Sequence, residues 1–281
     1  MKSTCMETAT RHRKSGGPIN STAPAVLNVP MLNDAQLLRY SRHILLPEVG
    51  VEGQERIGAA AVLVVGAGGL GCPVALYLGA SGVGKLRIAD GDVVDLTNLQ
   101  RQIGHDTSSI GENKALSLKR RVQAINPEIE VEALVEALAG TALTEAVEQA
   151  DLVIDASDNF ATRHAVNRAC VSLQKPLVSG SAIGFSGQLA LFDSQREDSP
   201  CYHCLFPDEV SEPPVRCADA GVFSPLVGVI GAMQALEALK YLARVGDSLV
   251  GKLLLWDGLS TGVRLLRIPR DPACGVCGKR V

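Results

Sequence analysis

Residues 61–71 read AVLVVGAGGLG, and this stretch decides the fold. The apolar run 61–65 has the character of a strand buried on both faces. Gly66, Gly68, Gly69 and Gly71 follow at once and open a helix that runs to about Ala80. Glycines permit the tight turn, and N–H groups at a helix N-terminus suit phosphate. Residues 85–103, KLRIADGDVVDLTNLQRQI, supply the next strand and end it on Asp90. An acid at that place is positioned for ribose hydroxyls. Residues 151–159, DLVIDASDN, add another buried strand that runs into an acidic turn.

Working outward, the pattern predicts an N-terminal helix over 34–43, capped by Asn33 or Asp34, and a short helix near 51–58. A helix with a basic face runs from Asn113 to Ile125 and is stopped by Pro127. A strand at 129–133 and a helix at 141–149 lead into LVIDA. A helix over 160–173 and the strand KPLVSG follow. GQLALFD at 187–193, KLLLWD at 252–257 and VRLLRI at 263–268 are later strands, the last antiparallel to one of its predecessors. The stretch 194–223 reads as one long irregular segment, a length that usually carries function or an anchor. No internal repeat is present. The expectation is an α/β, Rossmann-like, mostly parallel sheet flanked by helices, with antiparallel strands toward the C-terminus.

The 281 residues are 46% hydrophobic, enough for one large domain with a sizeable core. A net charge of -3 and 4% aromatics argue against bulk attraction to nucleic acid or anionic lipid. Residues 1–30, with Arg11, His12, Arg13 and Lys14, read as a flexible tail. Residues 31–281 read as one domain, with a nucleotide-binding core at about 59–180 and a partner-binding and zinc region at about 181–281. The closest approach to a membrane span is 224–243, SPLVGVIGAMQALEALKYLA. Gln234, Glu237 and Lys240 interrupt it, so a buried amphipathic helix is expected.

The loop after the second strand is dense in function. Asp92, Asp95, Asn98, Arg101 and Gln102 lie within it, Lys114 begins the next helix, and Asp158 and Asn159 follow the strand at 152–156. Cations at this edge offset phosphate charge, and a carboxylate holds magnesium. This suits nucleotidyl transfer. A carboxylate substrate is already a nucleophile at neutral pH and needs no protein base. The run GENK at 111–114 is no Walker A motif. An NAD-linked oxidoreductase remains an alternative on the glycines alone, and a non-catalytic scaffold is a third class. Asp155 has a structural reading, tying its loop to a helix N-terminus.

Four of the eight cysteines form two CxxC pairs, Cys201/Cys204 and Cys274/Cys277. Four thiolates make a closed structural zinc site, and His203 then serves as a local hydrogen-bonding residue. With no secretory segment ahead of them, they fit a cytoplasmic protein better than disulfides do. Lone Cys217, in PPVRCADAG, stands beside Arg216, a neighbour able to favour a thiolate. It reads either as a nucleophile for an acyl group or sulfur, or as a half-buried loop cysteine. Cys72 and Cys170 read as packed residues, and Cys5 as tail.

Assembled, these stretches resemble the ubiquitin-activating superfamily, and more closely its MoeB/ThiF-like sulfur-carrier adenylyltransferases. The match runs over about residues 32–278 and rests on LLRYSRHILLPEVG, VVGAGGLGCPVALYLGASGVGKLRIAD, DLTNLQRQI, DASDN, CYHC, AGVFSPLVGVIGAMQALEALK and CGVC. The resemblance implies ATP-dependent adenylation of the Gly-Gly carboxylate of a small ubiquitin-like sulfur carrier, with Mg2+ and loss of pyrophosphate. It places Asp90 on ribose, Arg101 and Lys114 on phosphates and Asp158 on magnesium. Asp92, Asn98 and Gln102 line the site. It implies a homodimer in which Arg42 reaches the partner subunit's nucleotide, zinc at the paired cysteines, and for Cys217 the covalent or persulfide step some relatives use. GENK departs from the family's usual run but keeps Lys114. No sulfurtransferase domain follows residue 281, so the expected sulfur donor is a separate protein.

Overall fold

A computed structural model describes residues 31–207 and 221–278. The tail 1–30 and Cys217 lie outside these residues. Among the described residues, eight strands form one mixed sheet in the order β3-β2-β1-β4-β5-β6-β7-β8. Its parallel half contains β1 (Ala61–Val65), β2 (Lys85–Ala89), β3 (Glu130–Leu134), β4 (Leu152–Asp155) and β5 (Pro176–Ile183). The antiparallel half adds β6 (Ser186–Asp193), β7 (Lys252–Asp257) and β8 (Gly262–Arg267), so the last strand pairs with β7. The expected architecture is present, with β5 as the strand where the pairing changes sense.

Alternation along the central strands builds two cores. Val62 and Val64 of β1, with Leu152 and Ile154 of β4, face one layer. That layer holds α3 (Gly50–Ala59), α4 (Gly71–Ala80), α5 (Lys114–Ile125) and the long C-terminal helix. Leu63, Val65 and Val153 face the other, which holds α6 (Gly140–Glu148) and α7 (Phe160–Ser172). Strand order reverses between β1 and β4, because the chain crosses from β3 back past β1. This leaves a crevice at the carboxyl ends of those strands.

Two expectations change in detail. The helix expected over 34–43 is two short ones, α1 (Asp34–Arg39) and α2 (Ser41–Ile44). Tyr40 leaves helical geometry between them so that its ring is buried, where its hydroxyl accepts from Asn126 Nδ2 at 2.9 Å. Asn33 is the N-cap of α1, in a reciprocal capping box with Gln36. Within the segment expected to be irregular, Tyr202–Leu205 forms a single helical turn, α8.

The long helix, α9 (Ser224–Ala243), is buried as expected, but Gln234 and Glu237 do not form an outward polar face. By length and composition it would pass for a membrane span, yet it packs on α3, α4, β5 and β6. Its polar residues lie inward. Gln234 is fully buried and donates to the Asp155 carbonyl at 2.9 Å. Glu237 accepts from the Leu249 N–H at 2.6 Å and from Lys240 Nζ at 2.8 Å, while Leu236 is exposed. Internal hydrogen bonds offset part of the cost of burying these groups, although Gln234 Oε1 has no partner among the described residues.

Contact between α9 and α4 depends on Gly231. A Cβ there would lie 2.5 Å from Pro73 Cγ and 2.6 Å from the Leu70 carbonyl oxygen. Gly231→Ala is expected to lower stability by about 1–3 kcal/mol, read as a lower midpoint in denaturant unfolding. An unchanged midpoint would show that the helices separate without cost.

Candidate nucleotide-binding site and four-cysteine cluster

The glycine turn is built by close backbone approach. Gly66 has φ +102, and a Cβ on it would fall 2.8 Å from the Ala156 carbonyl oxygen. A Cβ on Gly71 would lie 1.9 Å from the Gly66 carbonyl oxygen. Only glycine fits either place. Ala67 between them is held on both sides. Its N–H donates to Asp90 Oδ2 at 2.7 Å, and its carbonyl accepts from His105 Nε2 at 2.9 Å. Because a carbonyl only accepts, His105 carries its proton on Nε2, and Nδ1 accepts from the Ser117 hydroxyl at 2.9 Å. The N–H groups of Gly68 and Gly69 have no protein acceptor among the described residues.

Asp90 organises the opposite wall. Its Oδ1 accepts from the Asp92 N–H at 2.8 Å. Asn113 caps α5 and donates to the carbonyls of Asp90 and Asp92 at 2.9 and 3.2 Å. The cap places Lys114 at the first helical position, its Nζ 2.9 Å from Asp92 Oδ2. Lys114 is buried and Asp92 largely exposed, so the cation is held at the cleft by a partner that faces solvent. Arg101 donates to the Thr97 carbonyl at 3.1 Å. Gln102 is buried with Oε1 lacking a protein partner. The Ser224 hydroxyl at the start of α9 donates to the Gln100 carbonyl, joining this loop to the long helix.

The cleft gathers most residues expected from sequence. Gly66, Gly68, Gly69, Asp90, Asp92, Arg101, Gln102, Lys114, Asp158 and Asn159 line it. Gly71 stands behind the turn. Asn98 is not among the lining residues; its Oδ1 accepts from the Asp95 N–H at 3.2 Å and closes a local capping box. Arg42 is exposed on α2, away from this chain's cleft. Asp155 is structural, as expected: its fully buried carboxylate accepts from Ser157 N–H and Oγ at 3.0 and 2.6 Å. Burial pushes its pKa up, opposed by the Arg163 charge and these hydrogen bonds.

Sequence reasoning missed Glu136, Ala137 and Leu138, which follow β3 at the same sheet edge. Their position after a parallel strand was the available signal. It also missed Thr162 and Arg163 on the first turn of α7, and Val222 and Val227, which arrive from a distant segment.

The four paired cysteines converge as expected, all four sulfurs within 4.8 Å of one another. Cys201–Cys204, Cys201–Cys274 and Cys204–Cys277 separations are 4.0, 3.8 and 3.4 Å. Tetrahedral zinc with bonds of about 2.3 Å requires sulfurs about 3.8 Å apart, so the donor set fits. Asn167 of α7 donates to Cys201 Sγ at 3.6 Å and accepts from the Tyr202 N–H at 2.9 Å. His203 Nδ1 lies 3.4 Å from Cys274 Sγ and stays outside the four. Cys72 and Cys170 are core residues, and burial pushes the Cys72 thiol up to about 12.

Fold and cleft together define an α/β nucleotide-binding domain of the kind that holds phosphates on a glycine turn at a switch point. The ThiF family profile matches residues 40–276, and the chain belongs to that family. It is 48% identical to the sulfur carrier protein adenylyltransferase of Thermus thermophilus, over 86% of this chain and 91% of that one. It is 46% identical to the sulfur carrier protein ThiS adenylyltransferase of Escherichia coli, over 88% and 97%. It spans only 57% of a longer relative, the adenylyltransferase and sulfurtransferase MOCS3 of Anopheles gambiae. Among solved structures, Escherichia coli MccB with AMPCPP and MccA superposes with a TM-score of 0.75 at 25% identity, covering 86% of this chain and 74% of that one.

Burial lowers the His105 pKa from its ordinary 6.5. The unfolded chain therefore binds this proton more readily, and stability is lost as pH falls from about 6.5 toward the folded value. His105→Gln is expected to flatten the pH dependence of the unfolding midpoint in this window. An unchanged slope would remove His105 as its source.

Proposed function

We propose that the protein adenylates the C-terminal Gly-Gly carboxylate of a small ubiquitin-like sulfur carrier, consuming ATP and releasing pyrophosphate. One observation carries this reading. Arg101, Lys114 and Asp158 line one cleft with the free N–H groups of Gly68 and Gly69, and Asp158 also borders a groove on the sheet face. Support comes from two relatives named for adenylating sulfur carriers and covered over nine-tenths or more of their length. The MccB structure with AMPCPP adds support for ATP.

In this reading Asp90 takes the ribose, and the glycine turn, Arg101 and Lys114 take the phosphates. The unpaired Gln102 Oε1 is an acceptor available to the bound nucleotide. A magnesium ion at Asp158 would supply further compensation for phosphate charge. The carrier's tail lies along the groove, where Ser181, Gln188, Trp256 and Arg264 form part of the lining. Its carboxylate oxygen attacks the α-phosphorus, the bond to the bridging oxygen breaks, and the electron pair leaves with pyrophosphate. Positioning and charge compensation suffice, since the nucleophile is already ionised. A sulfide-level sulfur nucleophile from a separate donor then attacks the acyl carbon, the acyl–phosphate bond breaks and AMP leaves, giving a thiocarboxylate.

Zinc at Cys201, Cys204, Cys274 and Cys277 would close the C-terminal region without entering the chemistry. Arg42 is assigned to the cleft of the partner subunit in a homodimer, and exposed Leu45 and Leu46 just after α2 offer apolar area for that contact. The chain is placed in the cytoplasm with its carrier.

Magnesium-dependent ATP–pyrophosphate exchange is expected only with a Gly-Gly-tailed carrier present. Asp158→Ala is expected to lose about 100-fold or more in exchange while remaining folded; full turnover in that variant would remove Asp158 from the site. Metal analysis of the purified chain is expected to give about one zinc per chain. A fully stable, metal-free protein would exclude the structural zinc.

A further inference from the structure

The turn that presents Asp158 is fixed at every polar atom of the residue before it. Ser157 donates from N–H and Oγ to Asp155 Oδ1 at 3.0 and 2.6 Å, and its carbonyl accepts from Arg163 Nη2 at 2.8 Å. Both partners are buried, Asp155 at 0% exposure and Arg163 at 5%. They carry opposite charges and approach Ser157 from opposite ends of the turn, one from β4 and one from the first turn of α7. Ser179 of β5 adds a hydrogen bond to Asp155 Oδ2 at 3.3 Å. The guanidinium carbon of Arg163 stands 5.7 Å from the Phe160 ring centroid. Its Nε is buried and has no partner among the described residues.

Asp158, next in the chain, is exposed. Among the described residues, Asp158 and Arg163 are the two that border both the cleft and the groove. Stability does not account for burying a carboxylate and a guanidinium around one turn, because buried charges are often replaceable by apolar residues without loss. A turn that must hold one carboxylate at a fixed place between two substrates does account for it, since small displacements of a reacting group are expensive in rate.

We propose that Arg163 is the positioning residue of the adenylation site: it holds the Ser157 carbonyl while the Asp155 carboxylate holds the Ser157 N–H and hydroxyl, and together they fix Asp158 where nucleotide and carrier tail meet. This rests on the adenylation reading above. Arg163 acts through Asp158, so its loss affects turnover more than nucleotide affinity.

The test uses the full chain with its carrier and compares Arg163→Lys, Arg163→Met and the double variant Asp155→Asn/Arg163→Met. Arg163→Met is expected to lower kcat for ATP–pyrophosphate exchange about 10- to 100-fold while KM for ATP changes less than about threefold. Arg163→Lys keeps the charge and one donor, and recovers part of kcat. The double variant removes the unbalanced buried charge, so its unfolding midpoint returns toward that of the unsubstituted chain while kcat stays low. Amide hydrogen exchange at residues 157–159 is expected to quicken in all three. Full kcat in a folded Arg163→Met chain, or kcat returning with stability in the double variant, overturns the proposal and leaves Arg163 as charge balance for Asp155. Unchanged amide protection in folded Arg163→Met overturns it as well, without reference to activity. Absence of exchange in the unsubstituted chain would instead fall on the adenylation reading.

Discussion

The peptide and carboxylate of Asp155 are the point on which the site depends. The residue ends β4 at the place where strand order reverses, paired on one side with Val65 and on the other with Ser179. Its carbonyl is taken by Gln234 from α9, and its side chain shapes the turn into α7. One buried residue thus ties the long helix, two strands and the catalytic-edge turn together. A carboxylate without solvent is tolerated only because hydrogen bonds and a nearby cation compensate for it. That requirement explains why polar side chains penetrate the core here and hardly elsewhere along β1 and β4.

The mixed sheet gives the molecule two working surfaces that meet. Parallel strands β1, β2 and β4 send their carboxyl ends to the nucleotide crevice. Beyond β5 the pairing turns antiparallel, and strands β6 to β8 extend the sheet past the crevice. The groove beside Asp158 lies on that extension. A macromolecular tail can therefore lie on one surface and end on the other without any domain movement. This division suits a reaction that joins a small nucleotide to the end of a protein.

Most of this was legible in residue order. Strand, glycine turn, helix and acid appear in sequence as they do in space, because each βα unit is local and its turn chemistry is dictated by close approach at Gly66 and Gly71. The CxxC pairs were legible because thiolate spacing is a strong constraint. Four things were not. Gln234 and Glu237 read only as interruptions of an apolar run, since periodicity reports polarity and not the partners that satisfy a buried amide or carboxylate. Arg163 drew no attention, because its role depends on a carboxylate and a carbonyl brought to it by β4 and the turn that follows. Asn98 sits among site residues in the chain, yet spends its side chain on a local cap. Val227 reaches the cleft through the packing of α9, and Val222, just before that helix, through a bridge to Gly184 after β5, neither of which a local pattern encodes.

The cysteine cluster is a cross-link between distant parts of the chain. Each CxxC pair is local, but the contacts between pairs link residues 73 apart in sequence. Between them lie α9 and the hairpin of β7 and β8. Joining residues so far apart removes loop-closure entropy from the unfolded chain, a quantity that grows only slowly with loop length. A metal held by the four sulfurs would therefore favour the folded C-terminal half as a unit.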